Sequence, residues 1–266
     1  MIDARRGILY PKRMPEFHRL LPPDAAVDLV EWFWIPEWDI EAGRSSRQHV
    51  VAYPALNLVI EPGGVELVGA STSATHRDLT GRGWGVGALL RPAAVAALID
   101  DPAALLDSSV AFKVPELHHA MAEVMNAGGE QRREQAVEVF AAWLVSRTGM
   151  VGPVARQANE MSRMLIADAS VLRAEDAAVR LAVSARTLQR LARRHIGLPP
   201  AAMIRRRRLQ EAAQRVRDEP RTDLSALAAE LGYADHAHLS NDFRTVLGIT
   251  PRAYRADWST ALNATE

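Results

Sequence analysis

The sequence predicts an α+β protein in which a β-rich region with trailing helices precedes an all-α region. Short apolar runs separated by proline and glycine fill most of the first 90 residues, which is typical of strands and hairpins. Beyond residue 150, apolar residues recur almost throughout at the spacing of amphipathic helices. At 266 residues, 48% of them hydrophobic, the chain is long enough for two cores. The clearest break is the stretch GMVGP at 149–153, so we predict domains at 1–150 and 151–266.

The composition excludes several classes of site. The chain has no cysteine, which rules out disulfide scaffolds, thiolate zinc sites, iron–sulfur clusters and cysteine nucleophiles. No apolar run reaches the ~18 residues that span a bilayer, and the first residues lack the apolar stretch of a signal peptide. We therefore expect a cytoplasmic protein without membrane contact.

Four strands and a short helix are predicted in the first hundred residues. Proline and glycine punctuate the apolar or alternating runs, most clearly in the turn at 62–64. Arg91 and Pro92 then open a helical pattern, with proline in the first turn. The predicted strands are residues 27–35, 50–60, 65–70 and 81–90, and the predicted helix is 93–99.

Two longer helices, 116–126 and 130–147, complete the first domain. Phe140 and Trp143 share one face of the second of these helices. That face has two equally weighted interpretations: a contact between two copies of the chain, or packing against the chain's own β-region.

The second half is predicted to be helical with short breaks. Glycine or proline follows most of the periodic segments, as at Gly197, Pro220 and Gly248, which is typical of helix ends. The predicted helices are 154–169, 173–181, 185–195, 200–217, 224–231 and 236–247, with a short one after Pro251.

The net charge of zero conceals an asymmetry between the halves. Residues 1–150 carry 14 basic and 19 acidic side chains, whereas 151–266 carry 18 basic and 13 acidic ones, and all 18 bases are arginine. Ten of these arginines and a single acid fall within residues 184–217. A solvated helix face would interleave more acids, so the pattern favours contact between the second half and a polyanion such as nucleic acid.

An internal repeat carries most of the information. A short helix, a tight turn and a second helix occur at about 173–195 and again at about 223–247, with one long helix between them. Closely crossing helices need a small residue at their contact, and Ala178 and Ala228 occupy that position. Gly232 suits the positive φ of such a turn, where the first unit has Ala182 at a cost of about 1 kcal/mol if its φ is positive.

The ends of the second helices fit the same plan. Ser184 and Asp235 can cap their N-termini, while Leu188 and Leu239 would anchor them to the core. Each second helix then keeps a polar outward face that can enter a major groove of DNA. One such helix pair is a weak signal, but two copies that coincide with the charge excess predict two helix-turn-helix units.

Residues from about 170 to 256 resemble the DNA-binding domain of the AraC/XylS family of bacterial transcription regulators. The motifs that carry the resemblance are SARTLQRLARRHIG, the RRRRL helix, and LAAELGYADHAHLSNDFRTVLGITPRAYR. The resemblance implies a seven-helix domain whose two recognition helices enter successive major grooves on one face of double-stranded DNA. It also implies promoter DNA, and possible contact with RNA polymerase, as partners.

The resemblance also implies which side chains contact DNA. Bases would face Arg186, Gln189 and Arg190 in the first recognition helix, and His236, Ala237, Ser240 and Asn241 in the second. Arginine suits guanine and glutamine suits adenine, whereas Ala237 cannot hydrogen-bond and Asp242 would repel phosphate. We therefore expect the first helix to do most of the sequence reading. Phosphate contacts are predicted for Arg193, Arg194, Arg205, Arg206 and Arg244.

Bland alternatives stay open for these arginines. The three base-facing side chains of the first helix would otherwise be plain surface residues. Arg193, Arg194 and the run at 205–208 would either contact phosphate or pair internally with Glu175, Asp176 or Glu211. The run covers every face of its helix, so about two of its members would reach phosphate.

The first domain looks like the cupin-like sensor and dimerisation domains of the same family, which implies a small-molecule effector and a homodimer. Trp32, Trp34 and Trp84 would line its pocket, and filling a small core is an equally good interpretation. The histidines at 18, 49 and 76 lack the spacing of metal-binding cupins. We expect no metal, cofactor or catalytic residue.

The predicted function is a one-component regulator that binds DNA in a sequence-specific manner under the control of an effector, and not an enzyme. A rival from another class is a small-molecule-binding or enzymatic β-domain with a helical protein-interaction module. The rival predicts weak, salt-insensitive binding to DNA. A DNA-repair methyltransferase fused to the same kind of DNA-binding domain would need a cysteine acceptor, which the chain lacks.

Overall fold

The computed structural model describes residues 16–50, 53–73 and 75–256. Strands dominate the first part of the chain and helices the second, as the sequence predicts. The strands are β1 (Glu16–Leu20), β2 (Val30–Asp39), β3 (Ser45–Val50), β4 (Asn57–Glu61), β5 (Gly64–Val68), β6 (Thr75–Thr80), β7 (Arg82–Trp84), β8 (Val86–Leu90) and β9 (Ser109–Ala111). The helices are α1 (Pro92–Leu98), α2 (Pro115–Ala127), α3 (Arg132–Thr148), α4 (Pro153–Ala167), α5 (Ala174–Arg180), α6 (Ala185–His195), α7 (Pro200–Asp218), α8 (Leu224–Glu230) and α9 (His236–Leu247).

Seven of the strands form one antiparallel sheet in the order β1-β2-β8-β4-β5-β9, with β7 also paired to β2. Strands β3 and β6 pair separately as a two-stranded sheet. The strand predicted at 50–60 is divided, because β3 ends at Val50 and β4 begins at Asn57; Val51 and Ala52 lie outside the described residues. Strands β1, β3, β6 and β9 escaped prediction because they are short or mostly polar.

One face of the large sheet is covered by α1, α2 and α3. The buried side chains of Phe33 and Ile35 in β2 point toward these helices, and the ring of Phe33 lies 5.4 Å from that of Phe140. Trp143 packs edge-on against Phe112. The face of α3 that carries Phe140 and Trp143 therefore packs on the chain's own β-region, which is the second of the two interpretations offered above.

The helical part has two apolar clusters on either side of α7. The first joins α7 to α4, α5 and α6 through buried residues that include Met203 and Ile204. The second joins α7 to α8 and α9 through Leu209 and Val216. Proline in the first turn starts α7, and Gly248 in the left-handed conformation ends α9. Residues 251–256 are helical, as predicted.

Helix α4 contacts both parts of the chain. Its buried Asn159 donates from Nδ2 to the carbonyl oxygen of Asp28 at 2.8 Å and accepts from the backbone N–H of Ala93 at 3.0 Å. The same helix packs against α6 and α7. Within the described ranges, no helix is both long and apolar enough to cross a bilayer.

Candidate nucleic-acid interface

The first helix-turn-helix unit consists of α5, a turn at 181–184 and α6. Ala178 is buried at the crossing of the two helices. Ala182 adopts a φ of +51°, so the strain predicted for a non-glycine residue at this turn is present. The side-chain oxygen of Ser184 accepts from the backbone N–H of Thr187 at 3.1 Å and caps α6.

The second unit repeats this geometry in α8 and α9. Ala228 is fully buried at the crossing, and Gly232 supplies the turn with a φ of +72°. Asp235 caps α9 by accepting from the backbone N–H of His238 at 2.7 Å. Leu188 and Leu239 are fully buried, which holds α6 and α9 on their cores.

The outward face of α6 is basic and polar. Arg186, Gln189, Arg190, Arg193 and Arg194 are all exposed. Among the described residues, none of these five side chains takes part in a hydrogen bond or an ion pair. Leu188, Leu191 and Ala192 fill the opposite face, so the two faces of α6 are sharply separated. Four guanidinium groups and one amide on one helix face form a surface suited to a polyanion with hydrogen-bonding base edges.

The outward face of α9 is chemically weaker. His236, Ala237 and Asn241 are exposed, and Ser240 is half-buried. The guanidinium of Arg244 donates to Oδ1 of Asn241 at 3.1 Å, so these two side chains form a small cluster on the surface. The outward face of α9 carries one arginine, whereas that of α6 carries four.

Two families of known proteins match separate parts of the chain. Residues 177–257 match a family described as a helix-turn-helix domain, and residues 18–111 match one described as a domain of unknown function. The first match begins within α5 and covers the rest of the first helix-turn-helix unit, α7 and the second unit. The C-terminal part of the chain is an AraC-type helix-turn-helix domain.

Solved structures of ToxT from Vibrio cholerae are among the structures similar to this chain. The apo form of a single-residue variant of ToxT is 12% identical, covers 84% of this chain and 97% of its own, and has a TM-score of 0.43. ToxT bound to (E)-4-(8-methylnaphthalen-1-yl)but-3-enoic acid is 10% identical, covers 90% and 98%, and also scores 0.43. A comparison with proteins of curated function finds no match.

The arginine run of the AraC-type domain departs from the prediction. Arg206 is 3% exposed and donates from Nη2 to the carbonyl oxygens of Ser71 and Ser73 at 3.0 Å each. The predicted phosphate contact of Arg206 is therefore wrong in this conformation, because its guanidinium lies inside the contact with the β-region. Burial lowers the pKa of Arg206 to about 10, although Asp107 nearby acts in the opposite direction.

The other three members of the run are also engaged within the protein. Arg205 forms a two-pronged ion pair with Asp242 of α9, with N–O distances of 2.8 and 2.6 Å. The predicted phosphate contact of Arg205 is therefore corrected, because its Nε and Nη2 already donate to the carboxylate of Asp242. Arg207 is 1% exposed and donates to the carbonyl oxygen of Val171. The guanidinium of Arg208 lies 3.8 Å from the ring centre of Tyr233. In the part of the chain that the structure describes, these contacts go to Asp242, to the carbonyl oxygen of Val171 and to the ring of Tyr233, so the run serves internal contacts.

The three tryptophans predicted to line one pocket lie on opposite faces of the large sheet. Trp84 is buried in the core beneath the helices and donates from Nε1 to Asn126 at 3.2 Å. Trp32 and Trp34 point to the other face, where the indole of Trp34 covers Gly87 so closely that a Cβ there would overlap it at 2.0 Å. Trp84 is therefore a core residue, and Trp32 and Trp34 share the opposite surface. Trp84 pairs with Glu37 of β2, which alternation along that strand puts on the same face as Phe33 and Ile35, whereas Trp32 and Trp34 occupy the positions between.

Sequence reasoning misassigned Asp242, which does not face outward to repel phosphate, and missed the buried His195. Asp242 lies on the buried face of α9 beside Leu239 and Phe243, and a carboxylate at that spacing signals a buried cation as its partner. His195 is buried at the end of α6, and no local pattern points to its neighbour, Pro92 of α1. No group of three or more His, Cys, Asp or Glu in the described part of the chain is arranged to hold a metal ion.

Proposed function

We propose that the chain is a sequence-specific DNA-binding transcription regulator whose recognition helices α6 and α9 read successive major grooves. The observation that carries the proposal is the outward face of α6, on which Arg186, Gln189 and Arg190 are exposed and free of protein partners among the described residues. Arginine binds O6 and N7 of guanine through two hydrogen bonds, and glutamine binds N6 and N7 of adenine in the same way. Arg193 and Arg194, which follow on the same helix, would contact phosphate.

The first recognition helix would carry most of the sequence reading. The side chains of α9 that face outward are fewer and shorter, and Ala237 offers only a methyl group. Asn241 is the best base reader on α9, since its amide suits adenine. Its present bond to Arg244 would have to be exchanged for one to a base.

The N-terminal part, residues 1–150, would carry the effector site and residues 151–266 the DNA-binding domain. The face of the sheet opposite the helices supports a site for a flat ligand. There, Trp32 meets Tyr53 edge-on at 4.7 Å, and the guanidinium of Arg19 lies 4.7 Å from the Trp32 ring. A ligand on that face would act on the DNA-binding domain by shifting a conformational equilibrium. A second copy of the chain and RNA polymerase are further partners in this proposal.

The experiment that tests DNA binding is fluorescence anisotropy with the full chain and a duplex selected from a randomised library. We expect a dissociation constant of about 10⁻⁸ M for the selected duplex and a steep decrease in affinity with salt. Weak binding that ignores both sequence and salt would contradict the proposal and would favour the rival of a helical protein-interaction module.

A pair of variants distinguishes base reading from phosphate contact. Arg190→Ala should weaken binding to the selected duplex by about 1–3 kcal/mol and relax selection at one base position. Arg193→Ala is the matched control, since it removes the same side chain from the same helix at a position predicted to contact phosphate. It should weaken binding to all duplexes alike and reduce the salt slope by about one. Equal losses on all sequences for both variants would remove the base-reading role of Arg190.

A further inference from the structure

The second recognition helix carries a buried carboxylate that is held by the connecting helix. Asp242 is 8% exposed, and both of its oxygens accept from Arg205, one from Nε and the other from Nη2. The pair joins α7 to α9 directly. Because the fork of a guanidinium fits a carboxylate in one plane, such a pair fixes direction as well as distance.

Further contacts between α7 and the second unit surround this pair. We call the pair, together with Arg208 and Tyr233, the α7–α9 joint. Arg208 stacks on Tyr233, the residue that follows the turn glycine of the second unit. Burial raises the pKa of the Tyr233 hydroxyl, and the Asp242 carboxylate acts in the same direction. Tyr233 itself belongs to the apolar cluster of α7, α8 and α9.

The same joint contacts the first helix-turn-helix unit. Gly232 sits against Leu172, where a Cβ would lie 3.3 Å from Cδ1 of that leucine. The neighbouring Val171 accepts through its carbonyl oxygen from Arg207 of α7. The segment that enters α5 is thus held between α7 and the turn of the second unit, and both units are tied to one helix.

An ion pair between a buried carboxylate and a half-exposed guanidinium is a poor source of stability. Its desolvation cost offsets much of its attraction, and replacement by apolar side chains of similar size is often neutral or stabilising. An apolar contact cannot reproduce the planar geometry of two parallel hydrogen bonds. We therefore expect this pair to orient α9 relative to α7.

We propose that the ion pair of Arg205 with Asp242 is a positioning device that sets the placement of α9 relative to α6, and hence the separation between the two blocks of bases that the protein reads. The proposal rests on the proposed function, since it needs both helices on DNA. One base pair more between the blocks moves the second block by about 3.4 Å along the DNA axis and by roughly a tenth of a turn around it. If the α7–α9 joint is rigid, the protein binds the two blocks of bases at one separation. If the joint is loosened, the protein binds them at several separations.

The test is a selection of binding sites from a randomised duplex library by the full chain. The variants are Asp242→Asn, which is isosteric, and the double variant Arg205→Met with Asp242→Leu, which replaces the pair by apolar groups and is expected to stay folded. Circular dichroism melting checks folding. Arg193→Met is the control, because it removes an exposed arginine of α6 that has no partner among the described residues.

The wild type should select two blocks of bases at one separation and prefer that separation by about tenfold over one longer by a single base pair. The double variant should bind both spacings within about threefold, and Asp242→Asn should change in the same direction. The control should lose affinity at both spacings and keep the preference. A double variant that melts like the wild type and retains the tenfold preference would overturn the proposal.

The two proposals fail in different ways. A wild-type chain that selects only one block of bases would overturn the positioning role and leave DNA binding intact. A wild-type chain that selects no common sequence would overturn the proposed function, and the positioning role with it.

Discussion

Single side chains decide how the DNA-binding domain is attached to the rest of the chain, and His195 is one of them. It ends α6, is 5% exposed, and lies beside the carbonyl group of Pro92 at the start of α1. Burial lowers its pKa, and the charges of Arg194 and Arg190 lower it further, while the backbone of Pro92 acts in the opposite direction. The neutral form of the imidazole is therefore favoured at this place between a basic helix end and the β-region.

This placement predicts a dependence of stability on pH. A histidine in the unfolded chain binds its proton near pH 6.5, whereas in the folded chain it does so only at lower pH. Below about pH 6.5 the unfolded state holds more protons, so the free energy of unfolding should decrease as the pH falls from 7 to 5. Chemical denaturation at several pH values measures this. His195→Gln should flatten the dependence, whereas His119→Gln, on the exposed face of α2, should leave it unchanged; an unchanged slope in His195→Gln would contradict the prediction.

At the scale of elements, the two helix-turn-helix units differ from each other at their turns. Both turns need a positive φ, which the repeat predicts from the sequence because the chain must reverse within a few residues. Ala182 adopts a φ of +51° although it has a Cβ atom, whereas Gly232 adopts a φ of +72° and has none. The helices of the repeat were predictable for the same reason, since their apolar spacing, caps and stops are local.

The opposite substitutions at the two turns should have opposite effects. Ala182→Gly should raise the free energy of unfolding by up to about 1 kcal/mol, because glycine adopts a positive φ without strain. Gly232→Ala should lower it by more than that, because the strain is joined by a close contact with Leu172. Urea denaturation measures both. Ala201→Gly in the first turn of α7 is the control for added chain entropy and should lower the free energy of unfolding. If Ala182→Gly also lowers the free energy of unfolding, the backbone at Ala182 is not strained.

At the scale of the whole molecule, the contacts between the β-region and the AraC-type domain could not be predicted from the sequence. Arg206 and Ser71 are 135 positions apart, and their bond joins a guanidinium to a backbone carbonyl group, which leaves no trace in composition or periodicity. Asn159 likewise bonds to backbone groups of residues far away in the chain. Local patterns therefore predict both helix-turn-helix units and the exposed face of α6, but they misassign Arg206, whose role is set by tertiary contacts.

Removing Arg206 should loosen the segment at 71–73 on which it is anchored. The backbone N–H of Thr72 in that segment donates to the carboxylate of Asp107 at 2.6 Å. Burial alone would raise the pKa of Asp107, but its hydrogen bonds and the charge of Arg206 outweigh burial, so the pKa is lowered. In Arg206→Met the carbonyl oxygens of Ser71 and Ser73 lose their donor, and the carboxylate loses a neighbouring cation. Hydrogen–deuterium exchange of the amides near Thr72 should be faster by about tenfold, the equivalent of a lost bond to a charged group. Arg194→Met, exposed on α6, should leave those amides at the wild-type rate; equal rates in both variants would mean that Arg206 does not hold the β-region to the DNA-binding domain.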